Sequence, residues 1–235
     1  MMKFLGKHGG LVATKIVIEK DPIAQMLDGD TLACRAGTGF SRDVIEIAEH
    51  GAPYHIACFY RNVAGLPWVV EMFEGVGGRR MPFDAWILQR ANYSGSASEI
   101  IDVYRPDTFC DRHYDRQGAV GWMLQNIVGQ PYGKATIRRF AAQASWITCW
   151  WNRACTDEDA PRPTDWVCST AKAGADKYGG GVQPVEGLWV GDTKPGPLVQ
   201  GHLYDYRLSI SLASYAIEKR LIPRLSPLGR VAFGH

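Results

Sequence analysis

Three residues of the sequence have the types that thiol-dependent catalysis requires: Cys168, His55 and Glu71. A cysteine becomes a nucleophile when its thiolate is stabilised, and a helix N-terminus and a neighbouring histidine are two common ways to stabilise it. If Asp165 is the N-cap of the helix that follows, Cys168 lies at position N3, in the first turn. The spacing therefore predicts a reactive thiolate, although a packing cysteine among apolar neighbours fits the same local pattern.

His55 is the candidate base, and it lies inside a predicted strand, where a buried imidazole needs a hydrogen-bond partner. Glu71 lies in the returning strand of the same predicted hairpin, at a position where an apolar residue would be usual. In an even pairing register the two side chains share a face, so the carboxylate can fix the imidazole tautomer. In an odd register the candidate is Glu74, and the sequence leaves this choice open.

The elements that must position these residues are a sheet, mostly in the first half of the chain, and helices, mostly in the second. Apolar periodicity and turn residues predict an α+β fold in which an antiparallel sheet packs against the nucleophile-bearing helix. The predicted strands are 31–35, 54–60, 68–73, 99–104 and 202–209. The predicted helices are 41–51, 115–128, 136–150 and 165–179, and 191–192 and 195–197 are predicted turns.

The composition limits the class of protein. The 235 residues, 46% of them hydrophobic, suffice for one domain with a sizeable core. A formal charge of +2 gives no reason to expect nucleic acid as a partner, and the pairs Arg79-Arg80 and Arg138-Arg139 are interpreted as solvated surface. No run of about 18 apolar residues and no signal peptide is seen, so we expect a protein made in the cytoplasm with no membrane span.

The six cysteines, at 34, 58, 110, 149, 155 and 168, are irregularly spaced and are predicted to be mostly free thiols, with a Cys149–Cys155 pair left open. The alternative is that cysteines bind zinc, with His55 and Cys58 or Cys110 and His113 as candidate ligand pairs. The chain has no C-x-x-C pair, and residues 55 and 58 point to opposite faces of a strand. We therefore predict no metal and no cofactor.

Several short motifs occur in an order that resembles the circularly permuted branch of the NlpC/P60 superfamily, papain-like cysteine hydrolases typified by the YiiX/YebB-like proteins. The resemblance covers roughly residues 27–205. The circular permutation explains why the histidine precedes the cysteine in this chain, the reverse of the order in papain. The motifs are Asp28-Gly29-Asp30, Phe40-Ser41-Arg42, Pro53-Tyr54-His55-Ile56, Val69-Val70-Glu71 with Gly75-Val76, Gly129-Gln130-Pro131-Tyr132, Trp166-Val167-Cys168-Ser169 and the turn 193–198.

The resemblance implies a single domain over residues 1–235, with a core at about 27–205 and a C-terminal extension at 206–235. It implies Cys168 as nucleophile, His55 as base and Glu71 as orienting acid, with Tyr132 and Tyr54 as substrate-binding candidates and Tyr132 also as an oxyanion contact. The chain departs from the family's pattern in two places: Ser169-Thr170-Ala171 replaces Ser-Glu-Leu, and 149–163 is an insertion near Trp146, Trp150 and Trp151.

The resemblance further implies a peptidoglycan peptide as substrate, and hence an endopeptidase or amidase. Because no signal peptide is seen, delivery as a phage virion component or a lysis enzyme is one hypothesis. A thiol acyltransferase or lipid-ester hydrolase is the first alternative, and an apolar tunnel near Trp146 and Trp150 would favour it. The second is a catalytically silent interaction module that docks through the 146–163 insertion or the C-terminal tail.

Overall fold

The structure is a computed structural model that describes residues 21–35, 53–94, 99–106, 114–144, 163–201, 203–219 and 221. These ranges form a mixed α+β fold with a six-stranded antiparallel sheet and seven α-helices. The strands are β1 (Thr31–Arg35), β2 (His55–Arg61), β3 (Pro67–Phe73), β4 (Gly77–Pro82), β5 (Ile100–Pro106) and β6 (Tyr204–Ser211). The helices are α1 (Pro22–Gln25), α2 (Phe83–Ser94), α3 (Arg116–Asn126), α4 (Lys134–Ala144), α5 (Cys168–Gly174), α6 (Pro195–Gln200) and α7 (Leu212–Glu218).

Some sequence-based expectations fall outside the described ranges. They are the helix 41–51, the possible Cys149–Cys155 pair, the insertion 146–162 with its tryptophans, Cys110 with His113, and the tail 222–235. Within the described ranges, no α-helix combines the length and the apolar composition that a membrane crossing requires.

The sheet has the strand order β4-β3-β2-β1-β5-β6, and every neighbouring pair is antiparallel. The predicted β2–β3 hairpin is confirmed, and its register is even, because Ala57 pairs with Glu71. The predicted strand after residue 99 is also confirmed, but it lies between β1 and β6 rather than beside the hairpin. Strand β2 is therefore central, with its hairpin partner on one side and β1 on the other.

Helices cover both faces of this sheet. The first core cluster joins one face to α3 and α5, and the second joins the other face to α2 and α7. Strand β2 is buried at every position from His55 to Tyr60. Burial on both faces explains why its sequence is a continuous run of apolar and aromatic residues instead of an alternating pattern.

Helix α5 begins at Cys168, with Val167 as its N-cap, so the prediction of Asp165 as N-cap and Cys168 at N3 is wrong. The carboxylate of Asp165 instead accepts a hydrogen bond from the backbone N–H of Thr136, at 2.5 Å. The backbone carbonyl of Asp165 accepts a second bond, from the Thr136 hydroxyl at 2.8 Å. Asp165 thus caps the first turn of α4, and Cys168 occupies N1 of α5. A π-helical turn over Ala175–Gly179 extends α5.

The sequence interpretation missed four elements, β4, α1, α2 and α7, and misread α6 as a turn. Residues 195–197, predicted as a turn, begin α6, with proline at its first position. The two basic pairs are not simply solvated surface, because one member of each pairs with a buried carboxylate. Arg79 binds Glu71, and Nε of Arg139 lies 2.7 Å from Oδ1 of Asp192.

Strand β4 also forms backbone hydrogen bonds with the segment 127–132, which ends at Tyr132. The N–H of Gly78 donates to the carbonyl of Gln130 at 2.8 Å, and the N–H of Gly129 donates to the carbonyl of Gly78 at 2.8 Å. The backbones approach so closely that a Cβ at position 78 would lie 1.7 Å from the carbonyl oxygen of Ile127. Only glycine fits there without a shift of the segment.

We expect Gly78→Ala to lower the free energy of unfolding by about 2–3 kcal/mol, because the added methyl overpacks a backbone contact. Gly121→Ala is the matched control, since a Cβ at this helical position meets no atom within 4 Å. The control is expected to stabilise the protein by about 0.5–1 kcal/mol through helix propensity. Urea unfolding of both variants checks the pair, and equal midpoints would contradict the close contact at Gly78.

Candidate active site

His55 and Glu71 form a buried pair at the end of the β2–β3 hairpin. Nε2 of His55 lies 2.6 Å from Oε2 of Glu71, and the two residues are 6% and 0% exposed. The even register brings them to one face, since Glu71 pairs with Ala57, two residues from His55. Glu74 is exposed in the β3–β4 turn. The structure thus brings Glu71 to the imidazole.

The carboxylate of Glu71 has two further partners. Arg79, which faces Glu71 across the β3–β4 pair, donates to Oε1 from Nε at 2.8 Å and from Nη2 at 2.5 Å. Trp86 of α2 donates from Nε1 to Oε2 at 2.9 Å. Burial acts to raise the pKa of Glu71, but the charge of His55 and these hydrogen bonds outweigh it and lower the pKa to about 2. Glu71 is therefore an ionised, fixed acceptor.

Cys168 lies against His55 from the opposite layer. The Cys168 side chain is buried in the first core cluster with α5, whereas Trp86 belongs to the second. His55, the first residue of β2, contacts both layers, because it also interacts with the Cys168 side chain. Since Nε2 is bound to Glu71, Nδ1 is the ring nitrogen left for the thiol. Cysteine, histidine and glutamate thus form a continuous chain.

The pKa values of the cysteine and the histidine move in opposite directions. Burial acts to raise the pKa of Cys168, but the hydrogen bond and charge of His55, with the backbone N–H groups of Ile56 and Ser169, lower it overall. Burial and the charge of Arg90 act to lower the pKa of His55, but Glu71 and the bond to Cys168 raise it overall. The two shifts favour a thiolate–imidazolium pair.

The other described cysteines behave differently. Burial raises the pKa of Cys58 to about 12 and that of Cys34 well above its ordinary value. Both are wholly buried in the sheet, in β2 and β1. Of the described cysteines, Cys168 is the one whose pKa is lowered rather than raised.

Tyr132 is also brought to Cys168. It is half-buried, and its hydroxyl interacts with both the side chain and the backbone N–H of Cys168. Burial raises the pKa of Tyr132 far above its ordinary value, so the phenol stays protonated and can donate a hydrogen bond. The segment is anchored next to Tyr132, where the N–H of Gly133 donates to the carbonyl of Trp166 at 2.7 Å.

Tyr54, the second substrate-binding candidate, lies in a different set of contacts. Its hydroxyl accepts a hydrogen bond from Nη2 of Arg90 at 2.5 Å, and Nε of Arg90 binds Glu99 at 3.1 Å. Its backbone N–H donates to the carbonyl of Cys34 at 2.9 Å. The structure thus places Tyr54 beside α2 and β1 as a supporting residue of the histidine-bearing strand.

Arg79 and Trp86 are the site residues that the sequence interpretation missed. Gly75 and Gly77 bracket a tight turn with positive φ angles of 78° and 96°. The two glycines in the sequence could have indicated a second hairpin, but the register that places Arg79 opposite Glu71 comes from the structure. No comparable local signal identifies Trp86, because its contact depends on α2 folding back over the sheet.

A cavity of about 300 Å³ is lined by Asn126, Gln130, Pro163, Thr164 and Trp166. Gln130 is two residues before Tyr132, and Trp166 is two residues before Cys168, so the cavity is lined by the two segments that carry these candidate residues. The described lining residues offer amides, a hydroxyl, an indole and a proline ring, and none of these described residues is charged. In the described part of the chain, His, Cys, Asp and Glu form no group of three or more that could hold a metal ion.

Comparison with models of known protein families gives no match, and comparison with curated proteins finds no significantly similar sequence. Function is therefore inferred from the geometry of Cys168, His55 and Glu71.

Proposed function

We propose that the chain is a cysteine-dependent hydrolase of amide bonds, with Cys168 as nucleophile, His55 as base and Glu71 as orienting acid. The observation that carries the proposal is the buried imidazole, which is hydrogen-bonded to Glu71 at 2.6 Å and interacts electrostatically with Cys168. An imidazole held in this way has a defined tautomer, with Nε2–H directed at the carboxylate and Nδ1 directed at the sulfur.

In the proposed reaction the thiolate attacks the carbonyl carbon of the scissile amide, and a C–S bond forms as the carbonyl becomes an oxyanion. The imidazolium of His55 then gives its proton to the departing amine as the C–N bond breaks. Neutral His55 next removes a proton from water, whose oxygen attacks the thioester. Collapse of that second intermediate releases the carboxylic acid and restores the thiolate–imidazolium pair.

Two donors border the place where the oxyanion would form. The backbone N–H of Cys168 is at the first helical position, where it has no partner within α5. The Tyr132 hydroxyl lies next to the same group and remains protonated because burial raises its pKa. A substrate oxygen that replaces the mutual contact of these two donors would receive both hydrogen bonds.

We also propose the circularly permuted papain-like fold of the NlpC/P60 superfamily and a peptidoglycan peptide as substrate. The chain order supports this, because the histidine lies on a sheet strand that precedes the cysteine-bearing helix. The cavity at Gln130 and Trp166 offers amide and hydroxyl groups that can hydrogen-bond a peptide backbone, which agrees with an amide substrate.

The test is hydrolysis of purified peptidoglycan fragments, with products identified by mass spectrometry. We expect the parent protein to cleave a peptide bond and Cys168→Ala to lower kcat/KM at least about a thousandfold, as loss of a nucleophile does. Cys58→Ala is the matched control, because it removes a buried thiol whose pKa is raised to about 12, and it should keep most of the activity. A Cys168→Ala variant as active as the parent would refute the proposal.

A further inference from the structure

Arg79 contacts Glu71 on the side of the carboxylate that faces away from His55, and the proposed mechanism gives this contact no role. Its guanidinium binds Oε1 of Glu71 through both Nε and Nη2, while Oε2 is left to His55 and Trp86. The same guanidinium lies 4.0 Å from the ring centroid of Phe73, and its side chain is 16% exposed. Arg79 is therefore held in place on a part of β4 that solvent reaches.

The charges explain why this contact matters for proton transfer. A buried carboxylate beside an imidazolium holds the proton strongly, because the attraction between them is weakly screened. A base held in that way takes a proton from the thiol readily but returns it poorly to a leaving amine. A cation on the other oxygen of the same carboxylate reduces the attraction without removing the hydrogen bond.

We propose that Arg79 is a positioning residue of the site: by binding Oε1 it fixes Glu71 and compensates its charge, which limits how tightly the carboxylate holds the proton of His55. This inference rests on the proposed role of His55 as the base. Arg79, which sets the basicity of His55, lies on β4. His55 and its acceptor Glu71 lie on the neighbouring hairpin of β2 and β3.

Other charged and titratable groups face the same imidazole. Arg90 from α2 acts in the same direction as Arg79, since its charge lowers the pKa of His55. Arg90 is 1% exposed and is itself bound to Glu99 and Tyr54, so its removal would disturb the core. Arg79 is the cation that can be changed with less damage. The groups around His55 are Cys168 from α5, Glu71 from β3, Arg79 from β4, and Arg90 from α2 with Tyr54, Cys34 and Glu99 around it.

The test measures the pKa of His55 by NMR titration of the histidine Cε1–H signals in a Cys168→Ser background, which removes the coupled thiol. A His55→Gln variant identifies the signal among the six histidines. We expect Arg79→Met to raise the pKa of His55 by about one unit, the scale of one unit charge acting through a partly shielded site. Arg79→Gln, which keeps an amide donor for Oε1, carries the same expectation and serves if Arg79→Met does not fold.

Two controls separate charge from packing. Arg79→Lys retains the cation and should leave the pKa of His55 within about 0.3 units of its starting value. Arg80→Met removes the neighbouring, exposed arginine of β4, which faces away from Glu71, and should also leave it unchanged. An unchanged or lowered His55 pKa in the neutral variants overturns the proposal, as does a shift in Arg79→Lys equal to that in Arg79→Met.

The titration needs no substrate, so its result is independent of the hydrolysis assay. A chain that cleaves no peptide can still show the raised His55 pKa, and an active hydrolase can still show no shift. In an active enzyme, the neutral Arg79 variants should also move the basic limb of the kcat/KM profile to higher pH. A purely structural role for Arg79 would lower activity at every pH without that movement.

Discussion

Cys168 is expected to react with iodoacetamide at pH 6 about tenfold or more faster in the parent protein than in His55→Ala. An ordinary thiol with a pKa of about 8.5 is less than about 1% ionised at this pH. In the parent, the hydrogen bond and charge of His55 lower the pKa of Cys168 despite its burial. In His55→Ala the imidazole no longer lowers the pKa of Cys168, whereas burial still raises it. The thiol is therefore protonated at pH 6.

The alkylation rate of Cys168 should depend on pH differently in the parent protein and in His55→Ala. The rate in His55→Ala should rise with pH, because the unaided buried thiol ionises only at high pH, so the difference between the two proteins should be largest at low pH. Cys34 and Cys58 should react slowly in both proteins, because burial raises the pKa of each. Alkylation in urea, where all thiols are exposed, is the control for access. Identical pH profiles of Cys168 in the parent and in His55→Ala would contradict the thiolate–imidazolium pair.

Glu71→Gln is expected to lower kcat/KM by about a hundredfold, since a neutral amide can accept the Nε2–H hydrogen bond but does not support the positive charge of the His55 imidazolium. It is also expected to destabilise the fold by about 3–5 kcal/mol, because Arg79 loses its ion-pair partner at a buried site. Glu74→Gln is the matched control, because Glu74 is exposed in the adjoining turn. Its unfolding free energy should change by less than about 0.5 kcal/mol.

The stability of the parent should depend on acid in a way that Glu71→Gln does not. Folding lowers the pKa of Glu71 from 4.5 to about 2, so the carboxylate stabilises the folded protein at any pH above its unfolded value. That contribution, roughly 3 kcal/mol, is lost as the pH falls from about 4.5 to about 2. Urea unfolding at pH 7 and pH 3 should therefore show a smaller difference for Glu71→Gln than for the parent. An equal loss in both proteins would place the acid sensitivity elsewhere.

The sequence by itself determined the hairpin that carries His55, the proposed base. The segments 55–61 and 67–73 are rich in β-branched and aromatic residues and are separated by a loop with Asn62 and Gly65, so local propensity and turn chemistry agree. Helix α3 was predictable for the same kind of reason, because Asp115 caps it with its own side chain. Local signals of this kind depend on neighbours within a few residues.

The choice between Glu71 and Glu74 was decided by the tertiary structure. It depends on strand register, and a shift of one residue sends every side chain to the other face. The start of α5 was also decided at long range, since Asp165, a good N-cap by type, binds the backbone of Thr136, 29 residues away. The residues next to Asp165 in the sequence give no indication that the distant backbone N–H of Thr136 binds its carboxylate.

The back of the site was beyond the sequence for a further reason. Arg79 looks like a surface residue until β4 pairs with β3, and Trp86 reaches Glu71 only because α2 covers the second face of the sheet. The sequence thus determined which residue types were available for chemistry and which short segments carried them. The packing of helices on both faces decided which of them meet, because burial and charge pairing are properties of the assembled layers.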